Sequence, residues 1–272
     1  MINPLYWLEL RIRAREKRLW LIALFFVLSL LTISGVVLAS VLIPWRMGNS
    51  EPSGIGEGLT WAALFCQAGL LMILAPLATA GRISQEREQR TLAALVNSPV
   101  SPARTALGKL LGSWTFVFWL GILALPFLFT ATLWGGPTWK LILVCLGVNF
   151  LAGLVLSSIS LGLSGLFGRS LTAYLVTGSF LFGWMAVMPL LGSLAMGLNS
   201  SGGRWYQEIV GYLTLYHNPF FPLWTLVAYS SSGLRLDADQ MVVRIVYCLC
   251  VWLVLAAGSF ALAVRGLRRE VY

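Results

Sequence analysis

The stretch that decides the fold is LILVCLGVNFLAGLVLSSISLGLSGLF, residues 141–167. It contains no charged residue, and it is longer than the roughly 20 apolar residues that a helix needs to cross a bilayer. The whole chain is similar: 58% of its 272 residues are hydrophobic and 11% are charged, against about 45–50% and about 25% in soluble domains. The composition predicts an all-α integral membrane protein.

Apolar windows of similar length recur on both sides of this stretch. They predict six transmembrane helices, at residues 19–43, 59–81, 110–134, 141–167, 171–195 and 241–264. The first window is too long for the roughly 7–15-residue apolar core of a signal peptide, so we expect it to stay in the mature chain. The short loops leave no room for a sizeable soluble domain, and we expect residues 1–272 to form one transmembrane domain.

The distribution of basic residues predicts the orientation. With the N-terminus inside, the inner segments carry fourteen Lys and Arg, and the outer segments carry five. This bias puts both termini in the cytosol. Since the acids divide evenly, five inside and five outside, the net charge of +9 is entirely cytosolic. Topology and attraction to anionic lipid account for it, and we expect no nucleic-acid partner.

Residues 1–18, before the first span, combine basic and apolar positions. Pro4 suits a first helical turn, and Tyr6 and Trp7 are residue types that favour the headgroup level. We expect a helix that lies in the inner interface and then turns into the bilayer. The alternative is a basic flank that only sets the topology.

The long outer loop, residues 196–240, contains two apolar and aromatic pieces, 205–216 and 219–229. Each would be about 17 Å long as a helix, which is too short to cross. We expect two short re-entrant or interfacial helices before the last span. The alternative is an irregular loop associated with lipid.

The six predicted spans hold no ionisable residue near their centres. Their polar residues are Gln67, Asn149 and several Ser and Thr. Ion-coupled carriers usually place ionisable groups or broken helices at this depth, so self-powered transport is disfavoured. Arg244 lies near a span end, where we expect an anchor. The four cysteines fall inside spans, in a pattern that predicts neither a metal nor a redox site.

Residues 162–165 spell GLSG, a pattern of intramembrane serine proteases. Ser164 lies about 23 residues beyond the outer start of its helix, roughly 35 Å along the axis. The single histidine, His217, belongs to the outer loop. Because a nucleophile and its base must be about 3 Å apart, we exclude a protease. The small residues of this span are better explained by close helix packing than by a substrate-lining face.

The longest inner polar segment, residues 85–109, reads QEREQRTLAALVNSPVSPARTALGK. Ser84 is a candidate N-cap, and Leu92, Leu95 and Val96 form an apolar stripe at helical spacing. Pro99 ends the pattern. We therefore expect a short helix over residues 84–98, with an apolar ridge suited to a groove on a soluble partner.

This segment resembles the cytosolic loop of ABC-2 type transporter permeases. The matching features are an acidic start, a Thr-Leu step, a later leucine, a Ser-Pro and a Gly-Lys, here Glu86 and Glu88, Thr91-Leu92, Leu95, Ser98-Pro99-Val100-Ser101 and Gly108-Lys109. Two positions depart from the pattern, because Arg90 stands where a Gly commonly precedes the Thr and Ala93 where an acid often follows the Leu. Six spans, an interfacial N-terminal helix and short outer helices extend the resemblance over essentially the whole chain.

The resemblance implies half of a transmembrane pathway, paired as a homodimer or as a heterodimer with a related permease. It also implies a separate ABC ATP-binding subunit that carries ATP and Mg²⁺. This chain has no phosphate-binding loop, since Leu110 follows Gly108-Lys109 where Ser or Thr is required. We therefore expect neither catalytic residues nor a bound cofactor or metal in it.

Two groups of residues follow from the resemblance. The ATPase-coupling group is Glu86, Arg87, Glu88, Arg90, Thr91, Leu92, Leu95, Val96, Ser98 and Pro99. The outer gate or lateral exit is Trp205, Tyr206, Tyr212, Tyr216, Phe220, Phe221 and Trp224. The uncharged pathway favours a hydrophobic or amphipathic substrate such as a lipid, a drug or a peptide, and the resemblance implies export. The alternatives are a non-transporting membrane scaffold or sensor that recruits a cytosolic partner, and a secondary carrier.

Overall fold

The structure, a computed structural model, describes residues 4–15, 17–46, 55–91, 100–199, 203–231 and 238–268. Within these ranges it contains helices and turns and no β-strand. Six of its helical segments are long and apolar enough to cross a membrane. The predicted all-α membrane fold is therefore confirmed.

The helices are labelled in chain order. They are α1 (Pro4–Arg15), α2 (Lys17–Arg46), α3 (Ile55–Leu77), α4 (Arg82–Glu88), α5 (Pro102–Leu133), α6 (Trp139–Leu166), α7 (Ser170–Phe182), α8 (Met188–Leu198), α9 (Arg204–Thr214), α10 (Phe221–Ser231) and α11 (Ala238–Arg268). A π-helical turn, Gly183–Val187, joins α7 to α8, so that they form a single span. The candidate spans are α2, α3, α5, α6, α7 with α8, and α11.

The helix α5 begins at Pro102, well before the predicted start of its span at residue 110. Ser101 is its N-cap, and the Ser101 side chain accepts a hydrogen bond from the Arg104 backbone N–H. Pro102 then occupies the first helical position, where its missing N–H costs nothing. Hydropathy detected only the apolar part of this helix, whereas the capping residues set its true start.

The helix α6, which contains the opening stretch, lies at the centre of the bundle and packs most closely on α11. A Cβ atom placed on Gly162 would lie 2.4 Å from the Ser259 carbonyl oxygen, and one on Gly165 would lie 3.2 Å from Ala263 Cα. The Ser158 hydroxyl donates to the Ala256 carbonyl at 2.9 Å. The small residues of α6 therefore bring two backbones together, which is the packing role that their spacing predicts.

The bundle has two ends. One holds α4 together with α1, the first turns of α5 and α7 and the last turns of α6 and α11; we call it the α4 end. The opposite end holds α9 and α10, and we call it the α9 end. The two short helices α9 and α10 occur where the sequence predicts them, and α1 begins at Pro4. The position of all three relative to the lipid stays a prediction.

The predicted helix over residues 84–98 is wrong in its bounds. Helix α4 begins at Arg82, so Ser84 lies inside it and is not its N-cap. It ends at Glu88, because the chain then turns: Arg90 N donates to Arg87 O, and Thr91 N donates to Glu86 O. This bond pair is a Schellman motif. Leu92, Leu95, Val96, Ser98 and Pro99 lie outside the described residues.

The Schellman motif places Arg90 at a backbone φ of 57°. This left-handed conformation costs an L-residue about 1–2 kcal/mol, and glycine usually occupies it. Arg90 is also the position at which the sequence departs from the Gly of the resembling permeases. The departure therefore falls at a residue where glycine would fit the backbone better.

We expect Gly162→Ala to destabilise the protein, because the added Cβ atom meets the α11 backbone and overpacking costs about 1–3 kcal/mol. The matched control is Gly147→Ala in the same helix, where a Cβ atom has nothing within 4 Å and alanine favours the helix. Thermal unfolding of the detergent-solubilised protein measures both. Equal melting temperatures for the two variants would contradict the close α6–α11 contact.

We expect Arg90→Gly to stabilise the protein by up to about 1 kcal/mol, because it relieves the left-handed strain. Arg90→Val should destabilise it, since a β-branched residue tolerates this conformation worst. The control is Gln89→Gly at the preceding residue, whose φ is −80°; there glycine only adds freedom to the unfolded chain. A melting temperature that rises for Gln89→Gly and not for Arg90→Gly would refute the left-handed conformation of Arg90.

Candidate functional site

Helix α4 is held at its start by a residue from another helix. Ser164, near the end of α6, accepts hydrogen bonds from the backbone N–H groups of Ile83 and Ser84 at 3.1 and 3.2 Å. Gly81, which precedes α4, offers no side-chain cap. The first N–H groups of any helix lack intrahelical partners, so Ser164 supplies from α6 the cap that α4 does not contain.

This capping role also bears on the excluded protease. Ser164 neighbours Gly165, which packs on Ala263, whereas the His217 carbonyl accepts a hydrogen bond from Trp252 Nε1. Residues 252 and 263 of α11 are about 16 Å apart along the helix axis. Ser164 and His217 therefore belong to different levels of the bundle.

Arg87 of α4 ties together two helix ends. Its guanidinium donates to the Phe167 carbonyl at 2.8 Å, to the Gly165 carbonyl at 3.5 Å and to the Gly266 carbonyl at 3.4 Å. These carbonyls lie in the last turns of α6 and α11, where a cation is favoured. Of the predicted coupling group, Arg87 is thus bound inside the protein.

Glu88 holds the start of α7. Its carboxylate accepts hydrogen bonds from the Ser170 backbone N–H at 3.0 Å and from the Ser170 hydroxyl at 2.7 Å. Arg169, the N-cap of α7, provides no side-chain cap of its own. A carboxylate at a helix N-terminus is favoured by the helix dipole, so Glu88 both caps α7 and attaches α4 to it.

A buried ion network joins α4 to α1 and α5. Lys109 of α5 is 5% exposed at its side chain and pairs with Glu86 of α4 and with Glu9 of α1, at 3.4 Å for the latter. Arg82 of α4 approaches the same Glu9 at 3.8 Å. Two acids and two bases balance, as desolvated charges require. Removing one member would leave a buried charge without compensation.

Sequence reasoning missed most of this network. Glu9 stands alone among basic residues in α1, and Lys109 stands at the edge of an apolar window. An acid among basic residues and a lysine beside an apolar window are both charges that need partners when they are buried. The pairing could not be read from the sequence, however, because residue 9 and residue 109 meet only after folding.

The remaining α4 surface is exposed. The exposed residues are Gln85 and Glu88 of α4 and, in the turn after it, Gln89, Arg90 and Thr91. The next described residue is Val100. The first half of the predicted coupling group therefore divides into residues bound within the protein and residues that face outward. Their role in coupling stays a prediction.

At the α9 end, part of the predicted outer group forms an aromatic cluster. The Tyr212 ring lies edge-on to Tyr216 and to Tyr247, with both pairs of centroids 4.9 Å apart, and Tyr216 lies 4.7 Å from Phe221. The Arg244 guanidinium lies 4.8 Å from the Tyr216 ring centroid. Arg244 also pairs with Glu208, so this predicted anchor is engaged within the protein.

The other predicted outer residues lie apart from this cluster. Trp205 and Trp224 are 70% and 62% exposed, and the Tyr206 hydroxyl donates to the Ala195 carbonyl at 3.4 Å. Phe220 lines a cavity of about 500 Å³ between α3 and the α7–α8 span. The structure therefore does not gather the seven residues into one site.

The cavity is apolar and open on one side. Its walls come from one face of α3, from α7 and from the π-helical turn, at residues Gly69, Met72, Ile73, Pro76, Leu77, Ala80, Tyr174, Thr177, Gly178, Leu181, Phe182, Met185, Ala186 and Phe220. Such walls suit an apolar chain and no bond-making chemistry. The described residues also contain no group of three or more His, Cys, Asp or Glu that could hold a metal ion.

The comparisons with known proteins agree with this architecture. The family model described as ABC-2 family transporter protein matches residues 4–269, which is nearly the whole chain. A search of the curated proteins gives no match. The matched region includes the six spans, α4 and both short helices of the α9 end. The chain is therefore a multi-pass membrane protein with a permease-type transport role, and it belongs to the ABC-2 transporter family.

Proposed function

We propose that this chain is the transmembrane permease subunit of an ATP-driven exporter, and that ATP is hydrolysed in a separate subunit. One observation carries the proposal: the bonds of α4 reach five other helices, α1, α5, α6, α7 and α11, while its exposed end continues into the predicted docking segment. Ser164, Arg87 and Glu88 bind α4 to α6, α7 and α11. Lys109 of α5 pairs with Glu86 of α4 and with Glu9 of α1, and so connects α4 to both helices.

This arrangement suits the transmission of force. A soluble subunit that docks on the exposed end of α4 and on the coupling segment predicted to follow it, and that moves during its ATP cycle, would carry α4 with it. Since α4 is bonded to helices on several sides, the displacement would reach α5, α6, α7 and α11 together. Packed helices transmit such shifts because their interfaces deform little.

The orientation and the assembly belong to the same proposal. The basic residues cluster at the α4 end, which supports a cytosolic α4 end and cytosolic termini in a bacterial cytoplasmic membrane. One chain then forms half of the pathway, completed by a second copy or by a related permease.

The substrate class follows from the walls of the pathway. The predicted spans lack central charges, and the α3–α7 cavity is apolar, so we propose a hydrophobic or amphipathic substrate such as a lipid, a drug or a peptide. The exposed Trp205 and Trp224 beside α9 and α10 support a lateral exit at the outer leaflet.

Reconstitution tests the proposal. The chain is placed in proteoliposomes with a candidate ATP-binding subunit that carries GxxxxGK[ST] and is sought among the neighbouring genes. We expect a stable complex whose ATP hydrolysis is stimulated by substrate and accompanied by transport. If no such subunit binds the wild-type chain, the permease proposal fails, and a scaffold or sensor becomes the better explanation.

We expect Glu88→Ala to lower the amount of substrate moved per ATP, because it removes the carboxylate that caps α7 and attaches α4 to it. ATP hydrolysis should continue, since the exposed rim of α4 is retained. The matched control is Gln85→Ala, another exposed position of α4, which should transport normally. An unchanged transport-to-ATP ratio for Glu88→Ala would show that the α4–α7 contact does not couple.

A further inference from the structure

Three exposed arginines surround α4. Each is close in sequence to a residue that belongs to α4 or forms a hydrogen bond with it. Arg90 is two residues beyond Glu88. Arg169 precedes Ser170, which binds Glu88. Arg265 precedes Gly266, whose carbonyl accepts from Arg87, and all three arginines are exposed.

The nearby acids of the described residues offset only part of the charge of these arginines. At the α4 end, the acids of the described residues are Glu9, Glu86 and Glu88. Glu9 and Glu86 face Lys109, and Glu88 is engaged by Ser170 while its charge also attracts Arg169. The outward surface around α4 is therefore strongly basic.

Arg90 carries a further signal, because its backbone is left-handed. This conformation disfavours the native state by a factor of roughly 5–30, of which glycine would recover about fivefold, because glycine also adds freedom to the unfolded chain. Among the described residues, no hydrogen bond or ion pair holds its guanidinium. When a residue has a strained backbone and its side chain binds nothing within the protein, we expect the side chain to contact a partner molecule.

The expected gains in affinity favour a protein partner over a lipid. A basic residue near an anionic membrane surface gains only roughly fivefold in affinity, which does not exceed the strain at Arg90. An arginine that faces a carboxylate in a protein interface gains roughly tenfold or more. It can also form two parallel hydrogen bonds, a geometry that lysine lacks.

We propose that Arg90, Arg169 and Arg265 form a cationic docking surface that binds an acidic groove on the ATP-binding subunit. This inference rests on the proposed function and adds the chemistry of the partner's surface. The arginines steer the encounter and align carboxylates of the groove with α4.

Binding measurements test this surface. The chain is embedded in nanodiscs of phosphatidylcholine, which carries no net charge, and the ATP-binding subunit of the reconstitution is titrated onto it by biolayer interferometry. We expect Arg90→Glu, Arg169→Glu and Arg265→Glu each to raise the Kd by roughly tenfold or more. Wild-type affinity should fall as ionic strength rises from about 0.05 M to about 0.5 M.

Two matched variants separate charge from stability. Arg90→Gly should raise the melting temperature and yet weaken binding, whereas Arg90→Lys, which keeps the charge but loses the two parallel hydrogen bonds, should bind more tightly than Arg90→Gly and less tightly than the wild type. A purely structural role for Arg90 would move both readouts in the same direction. Lys140→Glu, an exposed basic residue at the α9 end, controls for the change in net charge and should bind like the wild type.

The opposite results would overturn the inference. If the three reversals leave the Kd unchanged, the arginines do not dock the subunit, although the permease proposal survives. If the reversals change only the stability of the chain in phosphatidylglycerol nanodiscs, the arginines serve anionic lipid. If the wild-type chain binds no ATP-binding subunit, this inference and the proposed function both fail.

Discussion

A helix of seven residues cannot satisfy its own backbone, and α4 shows how this constraint organises one end of the protein. The first N–H groups and the last C=O groups of a helix have no partners within it, and in α4 these groups make up most of the helix. Ser164 supplies the missing acceptor at its start, and a Schellman turn supplies donors at its end. The helix therefore exists only in contact with the bundle, which makes it sensitive to the positions of its neighbours.

The charges at the α4 end divide into an inner and an outer set. The inner set, Glu9, Arg82, Glu86 and Lys109, is balanced and largely desolvated. Low polarity strengthens its attractions and raises the penalty for separating them. The outer set is basic and exposed. The inner charges hold α4 in the bundle, and the outer charges remain free to face a partner.

Much of the fold could be predicted because membranes restrict what a chain can do. An apolar window of about 20 residues must form a helix there, since lipid offers no hydrogen bonds to the backbone. The small residues of α6 likewise predicted a close helix contact. The start of α5 was missed, because hydropathy does not respond to the Ser101-Pro102 capping signal, which extends that helix into a polar segment.

The candidate site could be predicted only in part. The segment around Glu86 to Thr91 was identified, and the exposed positions Arg90 and Thr91 lie on its surface. Arg87 and Glu88 looked equally available in the sequence, yet both are bound to other helices. Whether a polar side chain is bound within the protein cannot be deduced from its type alone, because partners such as Phe167 and Ser170 lie some eighty residues further along the chain.

The sequence by itself determined the class of this protein, its six spans and its family, since these depend on composition, window length and local motifs. Only the tertiary structure decided which polar residues hold the bundle together and which face outward. The physical reason is that a span is selected by its own transfer from water to lipid, residue by residue. A cap or an ion pair instead depends on where a second helix places its atoms.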